Sequence, residues 1–493
     1  MIDLQIDYKS NIPLTRQIYH QVRKQILDGV LPCKSRIPPT REIARHYEMA
    51  RMTVNVAYEQ LELEGYVVSR PGSGTFVCDE LNLLNKTDMP GALVLSDWAM
   101  RMRNADQLPG PDTSFDRQVE GINFPDVEID FGFGRSFSNI FPFDIWRKLL
   151  ARYLSTDDAI LSRYGSVGGF GPLREAISSY VGRQRGVVCR PQQVFIVSGI
   201  QQALDILGRL LINPDDEVLV ETPGYVNASR LFRSHGAQLR PIPVDEDGFQ
   251  PDCIPEDTKA RLIFVTPSNQ FPHGGAMPIQ RRLELIHWAR ERNAYIIEDD
   301  YDGELRYVGY PISALQGLDH SGRVIYLGTF SKVLLPALRL GYVILPQVLC
   351  EPFLQAKMLM DRGAPTLTQA AIADFITEGH FERHLRNLRK LYAERRRTLV
   401  QAIGKYLNGH VTYADHPAGF HIMLYLKEES DENDVIVEAR KLGVAVYAGR
   451  PYHLGEQAPP SLVLGFSDLE NDEIEEGIKR LGDVLKQASA LSS

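Results

Sequence analysis

From about residue 127 onward the chain repeats one pattern, in which a short run rich in Val and Ile is followed by a longer stretch with helical spacing. The runs read VFIVS, EVLVE, RLIFVTP, AYIIEDD, RVIYLGTF and LGYVIL. Strands that are apolar at nearly every position must be covered on both faces, and the intervening helices supply that cover. The pattern predicts an α/β domain built on a mostly parallel sheet. Such sheets take ligands beyond the carboxyl ends of their strands.

The residues that follow each run are therefore the place to look for chemistry. After VFIVS, residues Gly199, Ile200 and Gln201 open a helix whose free N–H groups suit an anion such as a phosphate. After EVLVE, the turn TPGYVN presents Tyr225 as an aromatic plate, and after RLIFVTP the turn SNQFPHGG carries the amides of Asn269 and Gln270. In AYIIEDDYDGE, Asp299 and Tyr301 are two residues apart and share one side of an extended chain. GTFSK sets Thr329 and Ser331 beside Lys332, with Arg339 beyond. Taken singly, each of these is more often a turn cap or a solvated chain end. Together they describe a ligand with a phosphate, a flat ring, a ring nitrogen to keep protonated, a phenolic oxygen and an aldehyde that a lysine amine can capture. Pyridoxal 5'-phosphate has all five.

At 493 residues the chain is too long for one ordinary core, and 44% hydrophobic with 24% charged residues describes a globular protein. No run of about 18 uncharged apolar residues occurs, and the N-terminus MIDLQIDYKSNIPLTRQ lacks the basic and apolar regions of a signal peptide, so a cytoplasmic location is expected. Five scattered cysteines without CxxC spacing suggest packing residues, with neither a disulfide frame nor a metal site. The net charge of -9 is unevenly spread: residues 1–78 hold ten Lys and Arg against eight Asp and Glu, about +2, which leaves about -11 for the rest.

That first segment has its own pattern. Leu14, Ile18, Val22 and Ile26 form the apolar stripe of one helix, closed by Gly29. In PPTREIARHYE a short helix is expected with Thr40 as N-cap and Ile43 and Ala44 inward. In ARMTVNVAYEQLELEGY, Val54, Ala57, Leu61 and Leu63 are expected to pack while Arg51, Thr53 and Asn55 face out. YVVSRPGSGTFVC then reads as a two-stranded wing around a Pro-Gly-Ser-Gly turn. A helix-turn-helix of this kind offers major-groove readout, with Arg51 and Asn55 one turn apart and suited to guanine and adenine edges. Arg41 and Arg70 can reach a base or a phosphate. Residues 79–126 show no sustained period and read as a linker, with AMRMR a short helix at most.

The string from PLTRQIYHQVRKQIL to RPGSGTFV resembles the winged-helix DNA-binding domain of the GntR family of bacterial regulators. That resemblance implies DNA contacts by Arg41, Arg51 and Asn55, and it also matches the wing glycines Gly72 and Gly74. Residues from about 127 resemble the fold-type I aminotransferases through SRYGSVGGFGPLREAI, VSGIQQAL, ETPGY, IIEDDYDGE and TFSKVLLPALRLGY. Joined, the two halves resemble a MocR-type, GabR-like transcriptional regulator. The resemblance implies a multidomain chain, with residues 1–78 as a winged helix-turn-helix and residues 127–493 as an α/β pyridoxal-phosphate-binding domain with a small C-terminal α+β subdomain. It implies a Schiff base on Lys332, a ring-nitrogen partner in Asp299, a ring-oxygen partner in Tyr301 and a stacking ring in Tyr225. It implies a phosphate cradle from Gly199, Ile200, Gln201, Thr329, Ser331 and Arg339, and a homodimer in which Tyr164 reaches the neighbouring subunit's phosphate. Operator DNA with paired half-sites is the implied partner.

The aminotransferase pattern breaks in two places. The arginine that usually holds a substrate carboxylate falls on Val463, and the asparagine of the Asn-Pro-x-Gly turn falls on Phe271, with Asn269 or Gln270 as substitutes near the ring. Arg450 is a candidate replacement cation for an effector. The expected function is a DNA-binding regulator that senses pyridoxal phosphate or an amine; the alternative is an active aminotransferase with an appended DNA-binding domain.

Overall fold

The computed structural model describes residues 2–79, 95–105, 127–132, 138–155, 162–455 and 458–491. The chain divides into two compact units, Met1–Val94 and Leu95–Ser493.

The first unit holds α1 (Leu14–Leu27), β1 (Arg36–Ile37), α2 (Thr40–His46), α3 (Arg51–Leu63), β2 (Val67–Arg70) and β3 (Gly74–Val77). Its core is made by Ile18, Val22 and Ile26 of α1, Ile43 and Ala44 of α2, and Val54, Ala57, Tyr58 and Leu61 of α3. Steps of three and four residues keep the α3 set on one face. Leu63, expected inward, is 81% exposed because it lies two residues past Leu61 and therefore across the helix. Thr40 is the first residue of α2 and not its cap; Pro39 holds that place, with no side-chain cap bond. The three strands form an antiparallel sheet in the order β1-β3-β2. The turn between β2 and β3 requires left-handed backbone at Gly72 (φ +75) and Gly74 (φ +111). Gln17, which the sequence did not mark, is buried and donates to the carbonyls of Asp7 (2.9 Å) and Ile12 (2.8 Å). These bonds draw the N-terminal segment onto the core, where Ile2 and Leu4 are buried.

The second unit begins with α4 (Asp97–Ala105), which lies inside the stretch read as linker. This helix packs on the helix Val226–Ser234, and Arg101 Nε donates to the Ser234 carbonyl at 3.2 Å. Residues 80–94 and 106–126 of that stretch fall outside the described residues. A short strand, β4 (Ile129–Asp130), then pairs in parallel with β15 (Val444–Ala445).

The main sheet has eight strands: β5 (Val194–Val197), β6 (Glu217–Thr222), β7 (Gln238–Asp245), β8 (Gly248–Phe249), β9 (Leu262–Val265), β10 (Tyr295–Asp300), β11 (Val324–Thr329) and β12 (Gly341–Ile344). Their spatial order is β5-β12-β11-β10-β9-β6-β7-β8. The central pairs β11/β10, β10/β9, β9/β6 and β6/β7 are parallel, while β12 runs antiparallel to both β11 and β5. The six apolar runs of the sequence are the strands β5, β6, β9, β10, β11 and β12. They are buried along their length because helices cover both faces. β7, with Pro241 and Pro243, went unread because proline interrupts a strand pattern; it sits next to the two-residue edge strand β8.

β10 carries three consecutive acids. Side chains alternate along a strand, so Glu298 and Asp300 turn to one face and Asp299 to the other. Asp300 accepts two bonds from the buried Arg185 guanidinium, both at 2.8 Å, and one from the Tyr326 hydroxyl at 2.5 Å. Glu298 accepts from the backbone N–H groups of Leu315 and Gln316. These bonds fix the strand beneath Asp299. A smaller four-stranded sheet joins β13 (Val411–Thr412), β14 (His421–Leu426), β16 (Tyr447–Ala448) and β17 (Ser461–Gly465) in the order β13-β14-β17-β16.

Candidate cofactor site and DNA-reading unit

Beyond the carboxyl ends of β6, β9, β10 and β11 lies a cavity of about 180 Å³, far more than one water needs. Lining it are Gly199 after β5 with Ile200 and Gln201 at the start of the helix that follows, Tyr225 from the loop after β6, Asp299 in β10 and Tyr301 just past its end, and Thr329, Ser331, Lys332 and Arg339. Ten residues chosen from sequence thus meet in one place. Thr266, Phe271 and Phe420 also line it. Thr266 is next to last in the RLIFVTP run and could have been read as a strand-end residue; nothing local marks Phe420.

The geometry of these groups is specific. Lys332 Nζ stands 5.4 Å from the centroid of the Phe420 ring. Burial pushes the Lys332 amine below its ordinary value, against the opposing pull of Asp299. Burial, with Asp300 adding to it, pushes the Asp299 carboxyl up to about 7, and Lys332 resists that rise. Asp299 Oδ1 is buried without a hydrogen-bond partner. A buried unpaired acceptor costs free energy, so an N–H donor entering the cavity has a ready partner there. Burial likewise holds the Tyr301 hydroxyl protonated, well above its ordinary value, and that oxygen accepts from Asn269 Nδ2 at 3.1 Å. Asn269 Nδ2 also donates to Asp302 at 2.5 Å, so this amide stands behind the Tyr301 hydroxyl and off the cavity wall.

At the other end, Gly199 (φ +98) is the N-cap of the helix Ile200–Leu211, whose first N–H groups point out of its start. A Cβ on Gly199 would lie 3.4 Å from an Arg339 guanidinium nitrogen, so the glycine leaves room for that group beside the helix start. Arg339 takes the left-handed conformation (φ 49) and donates to the Ser198 carbonyl at 3.4 Å. A helix N-terminus, two hydroxyls and a guanidinium make an anion site. Donor set, orphaned carboxylate and buried amine together fit pyridoxal 5'-phosphate.

Other expected residues lie elsewhere. Gln270 does not line the cavity: its amide donates to the carbonyls of Pro223 (2.8 Å) and Phe271 (2.7 Å) and to Glu221 (3.3 Å), which fixes the loop but leaves nothing for a ligand. Arg450 also stays out of the cavity and stands 3.7 Å from the Glu432 carboxylate. Tyr164 is 91% exposed and absent from its own chain's cavity wall. Val463 is fully buried in β17, between Met423 and Tyr447 of the flanking strands. Phe271 packs edge-on against Tyr225, Tyr301 and Tyr452 at 5.3 to 6.0 Å, so an aromatic wall stands at this edge of the cavity.

In the first unit Arg41, Arg51 and Arg70 are exposed, and Thr53 and Asn55 are half-buried on α3. Arg51 Nε points toward Thr40 Oγ1 at 3.5 Å, and the Arg70 guanidinium stacks over Phe76 at 5.2 Å in the wing. Gly72 is exposed at the wing tip. Among the described residues no group of three or more His, Cys, Asp and Glu could hold a metal ion, and no helix is long and apolar enough to cross a membrane.

Residues 132–481 match the aminotransferase class I and II family, and residues 14–77 match the bacterial regulatory proteins of the gntR family. The probable rhizopine catabolism regulatory protein MocR of Rhizobium meliloti is 37% identical over 97% of this chain and 95% of its own. The pyridoxine biosynthesis transcriptional regulator PdxR of Corynebacterium glutamicum is 28% identical over 98% of this chain and 99% of its own. Among solved structures, the kynurenine aminotransferase of Pyrococcus horikoshii in complex with PMP superposes with a TM-score of 0.73 at 30% identity, covering 80% of this chain and 97% of that one. LysN of Thermus thermophilus, bound to N-(5'-phosphopyridoxyl)-L-leucine, gives 0.72 at 28% identity, covering 80% of this chain and all of that one. The chain therefore belongs to the MocR-type regulators of the GntR family, pyridoxal 5'-phosphate-dependent transcription factors that join a winged-helix DNA-binding unit to a class I and II aminotransferase domain.

Proposed function

We propose that this regulator senses pyridoxal 5'-phosphate, or an amine that reacts with it, through the cavity of the second unit and changes its hold on operator DNA in response. The observation that carries the reading is the orphaned Asp299 carboxylate oxygen, buried in the same cavity as the Lys332 amine. When bound, the cofactor supplies an aldehyde and an electron-withdrawing ring. Lys332 would be the amine that takes the aldehyde, and its lowered pKa raises the neutral, nucleophilic fraction. Asp299 would keep a proton on the ring nitrogen, Tyr301, with Asn269 behind it, would hold the ring oxygen, and Tyr225 would cover the ring. Gly199, Ile200, Gln201, Thr329, Ser331 and Arg339 would hold the phosphate. In a homodimer the exposed Tyr164 reaches the partner's site.

In the first unit Arg51 and Asn55 read base edges, with Arg41, Thr53 and the wing residues Arg70 and Gly72 near the backbone. A cytoplasmic location with access to the chromosome follows from that role. The signal leaves the cavity at Tyr225, the N-cap of the helix Val226–Ser234, on whose flank α4 packs. A ligand that shifts Tyr225 shifts the support of the helix that ends the described part of the linker, and a differential affinity for two such arrangements is what regulation requires.

Turnover as an aminotransferase is the weaker reading because Val463 offers no charge to a substrate carboxylate, and Arg450 is turned to Glu432. The test is a titration of the purified protein with pyridoxal 5'-phosphate. A visible absorbance band is expected, which Lys332→Ala lacks, and operator affinity should differ with and without the compound. A band that persists in Lys332→Ala, or an affinity that ignores the cofactor and every amine tried, would refute the sensor.

A further inference from the structure

A second cleft, of about 300 Å³, lies in the second unit where the N-terminal halves of the helices Gly171–Arg185 and Gln347–Met360 meet the edge strand β5. It shares no lining residue with the cofactor cavity. Its volume falls at the lower end of the range for small-molecule pockets, roughly 300 to 1,000 Å³. Arg174 lines it, half-buried, with Nε donating to the Pro191 carbonyl at 3.0 Å and the guanidinium 5.7 Å from the centroid of the buried Phe195 ring. Its two terminal nitrogens have no hydrogen-bond or ion-pair partner among the described residues. The buried Arg282 differs, spending all three nitrogens on the carbonyls of Met277, Ser313 and Pro267 at 2.6 to 2.7 Å.

A guanidinium drawn from water with donors unspent costs free energy that an anion in the cleft would offset. Burial accordingly pushes Arg174 below its ordinary pKa. The backbone makes room for it: a Cβ on the buried Gly168 would lie 3.4 Å from Arg174 Nη1. From the second helix come Glu351 and Leu354, three residues apart and so on one face. Glu351 is exposed at the rim, where one oxygen accepts from Gln355 Nε2 at 2.8 Å and the other has no partner among the described residues. Arg174 and Glu351 thus face one cleft without forming an ion pair, too far apart to neutralise each other directly.

We infer that this cleft binds a small zwitterion, an α-amino acid with an apolar side chain, at a site separate from the cofactor. The carboxylate meets the fork of terminal N–H groups on Arg174, a geometry a planar guanidinium offers and an ammonium does not. The amino group lies toward Glu351, and the side chain rests on the apolar surface of Phe195 and Leu354. A plain anion would leave the Glu351 carboxylate facing a like charge, and a plain amine would do the same to Arg174. One molecule carrying both charges satisfies both walls and brings no net charge into the cleft.

The experiment uses the full-length protein loaded with pyridoxal 5'-phosphate and treated with borohydride, which fixes the cofactor to Lys332 so that added amino acids cannot react there. Calorimetric titration with L-leucine should show one equivalent bound per chain. Isocaproate, which lacks the amino group, and isoamylamine, which lacks the carboxylate, should each bind about tenfold more weakly or worse. Arg174→Gln should weaken leucine about tenfold and erase its advantage over isoamylamine. Glu351→Gln, a change at an exposed position, should erase the advantage over isocaproate while thermal unfolding matches the wild type. If Arg174→Gln does not fold, Glu351→Gln and the ligand series decide alone. Failure of leucine, methionine and phenylalanine to bind at millimolar concentration overturns the inference. So does isocaproate or isoamylamine binding as well as leucine, or leucine binding that neither variant changes, since the occupant or the place is then wrong. A protein that borohydride leaves without bound cofactor refutes the Lys332 reading instead, and the same titration of the untreated chain still tests the cleft.

Discussion

Glu221 shows what a single buried residue does beside the cofactor cavity. Its carboxylate accepts from Thr266 Oγ1 at 2.6 Å, from the Thr266 N–H at 3.2 Å and from Gln270 Nε2 at 3.3 Å. Thr266 Oγ1 in turn accepts from the Phe271 N–H at 3.0 Å, so Glu221 fixes the loop that carries the aromatic wall. Burial pushes the Glu221 carboxyl up to about 7, above its unfolded value. A carboxyl raised in this way favours the folded state most below its unfolded pKa of about 4.3, and that advantage is lost as pH rises through about 7. Glu221→Gln should therefore flatten the decline of stability between pH 5 and pH 8, gaining roughly 1 to 3 kcal/mol at the upper end relative to the lower, as urea unfolding of the cofactor-free protein at the two pH values would reveal. A variant with the same pH dependence as the wild type shows that the group ionises freely in both states. Arg185 makes the complementary case, since its bidentate bond to Asp300 is fully enclosed. Arg185→Leu leaves that carboxylate buried without its counter-charge, held only by the Tyr326 hydroxyl, and a loss of about 3 to 5 kcal/mol is expected by chemical denaturation.

At the scale of elements, the wing depends on a close approach. Gly74 has φ +111, and a Cβ there would lie 2.5 Å from Arg36 Nε across the β1/β3 pair. Gly74→Val should strain the turn by about 1 to 3 kcal/mol and weaken operator binding while leaving cofactor absorbance intact. Unchanged operator binding would mean the wing adds little to recognition. Elements were legible wherever one period ruled. The six apolar runs became strands and the stripe of α1 became a buried face, because a single spacing decided both. Leu63 failed that test by adding a residue out of phase, and β7 was hidden by its prolines. The helix α4 was uncertain because nine residues with a mixed surface do not declare a helix without the neighbour they pack on.

For the whole molecule, the proposed homodimer would place two reading units on DNA and bring Tyr164 to the partner's site. Sedimentation of the cofactor-loaded protein should give twice the chain mass, and Tyr164→Phe should weaken cofactor retention severalfold without dissolving the dimer. A monomeric protein of unchanged cofactor affinity argues against both. The ten cavity residues named from sequence share a wall because the sheet topology forces it: parallel neighbours β6, β9, β10 and β11 deliver their carboxyl ends to one edge. What lay within a few residues of a strand end could be read. Gln270 could not, since it is one position from Asn269, and only the packed loop decided which amide turned toward the site. Arg450 could not, because its pairing with Glu432 joins segments apart in the chain. By itself the sequence determined the two units, the sheet and the residue types of the site, because these follow from periodicity and from chemistry at strand ends. Tertiary structure alone decided which side chains are spent on the protein's own hydrogen bonds and which, like the Asp299 carboxylate, are buried and left for a ligand.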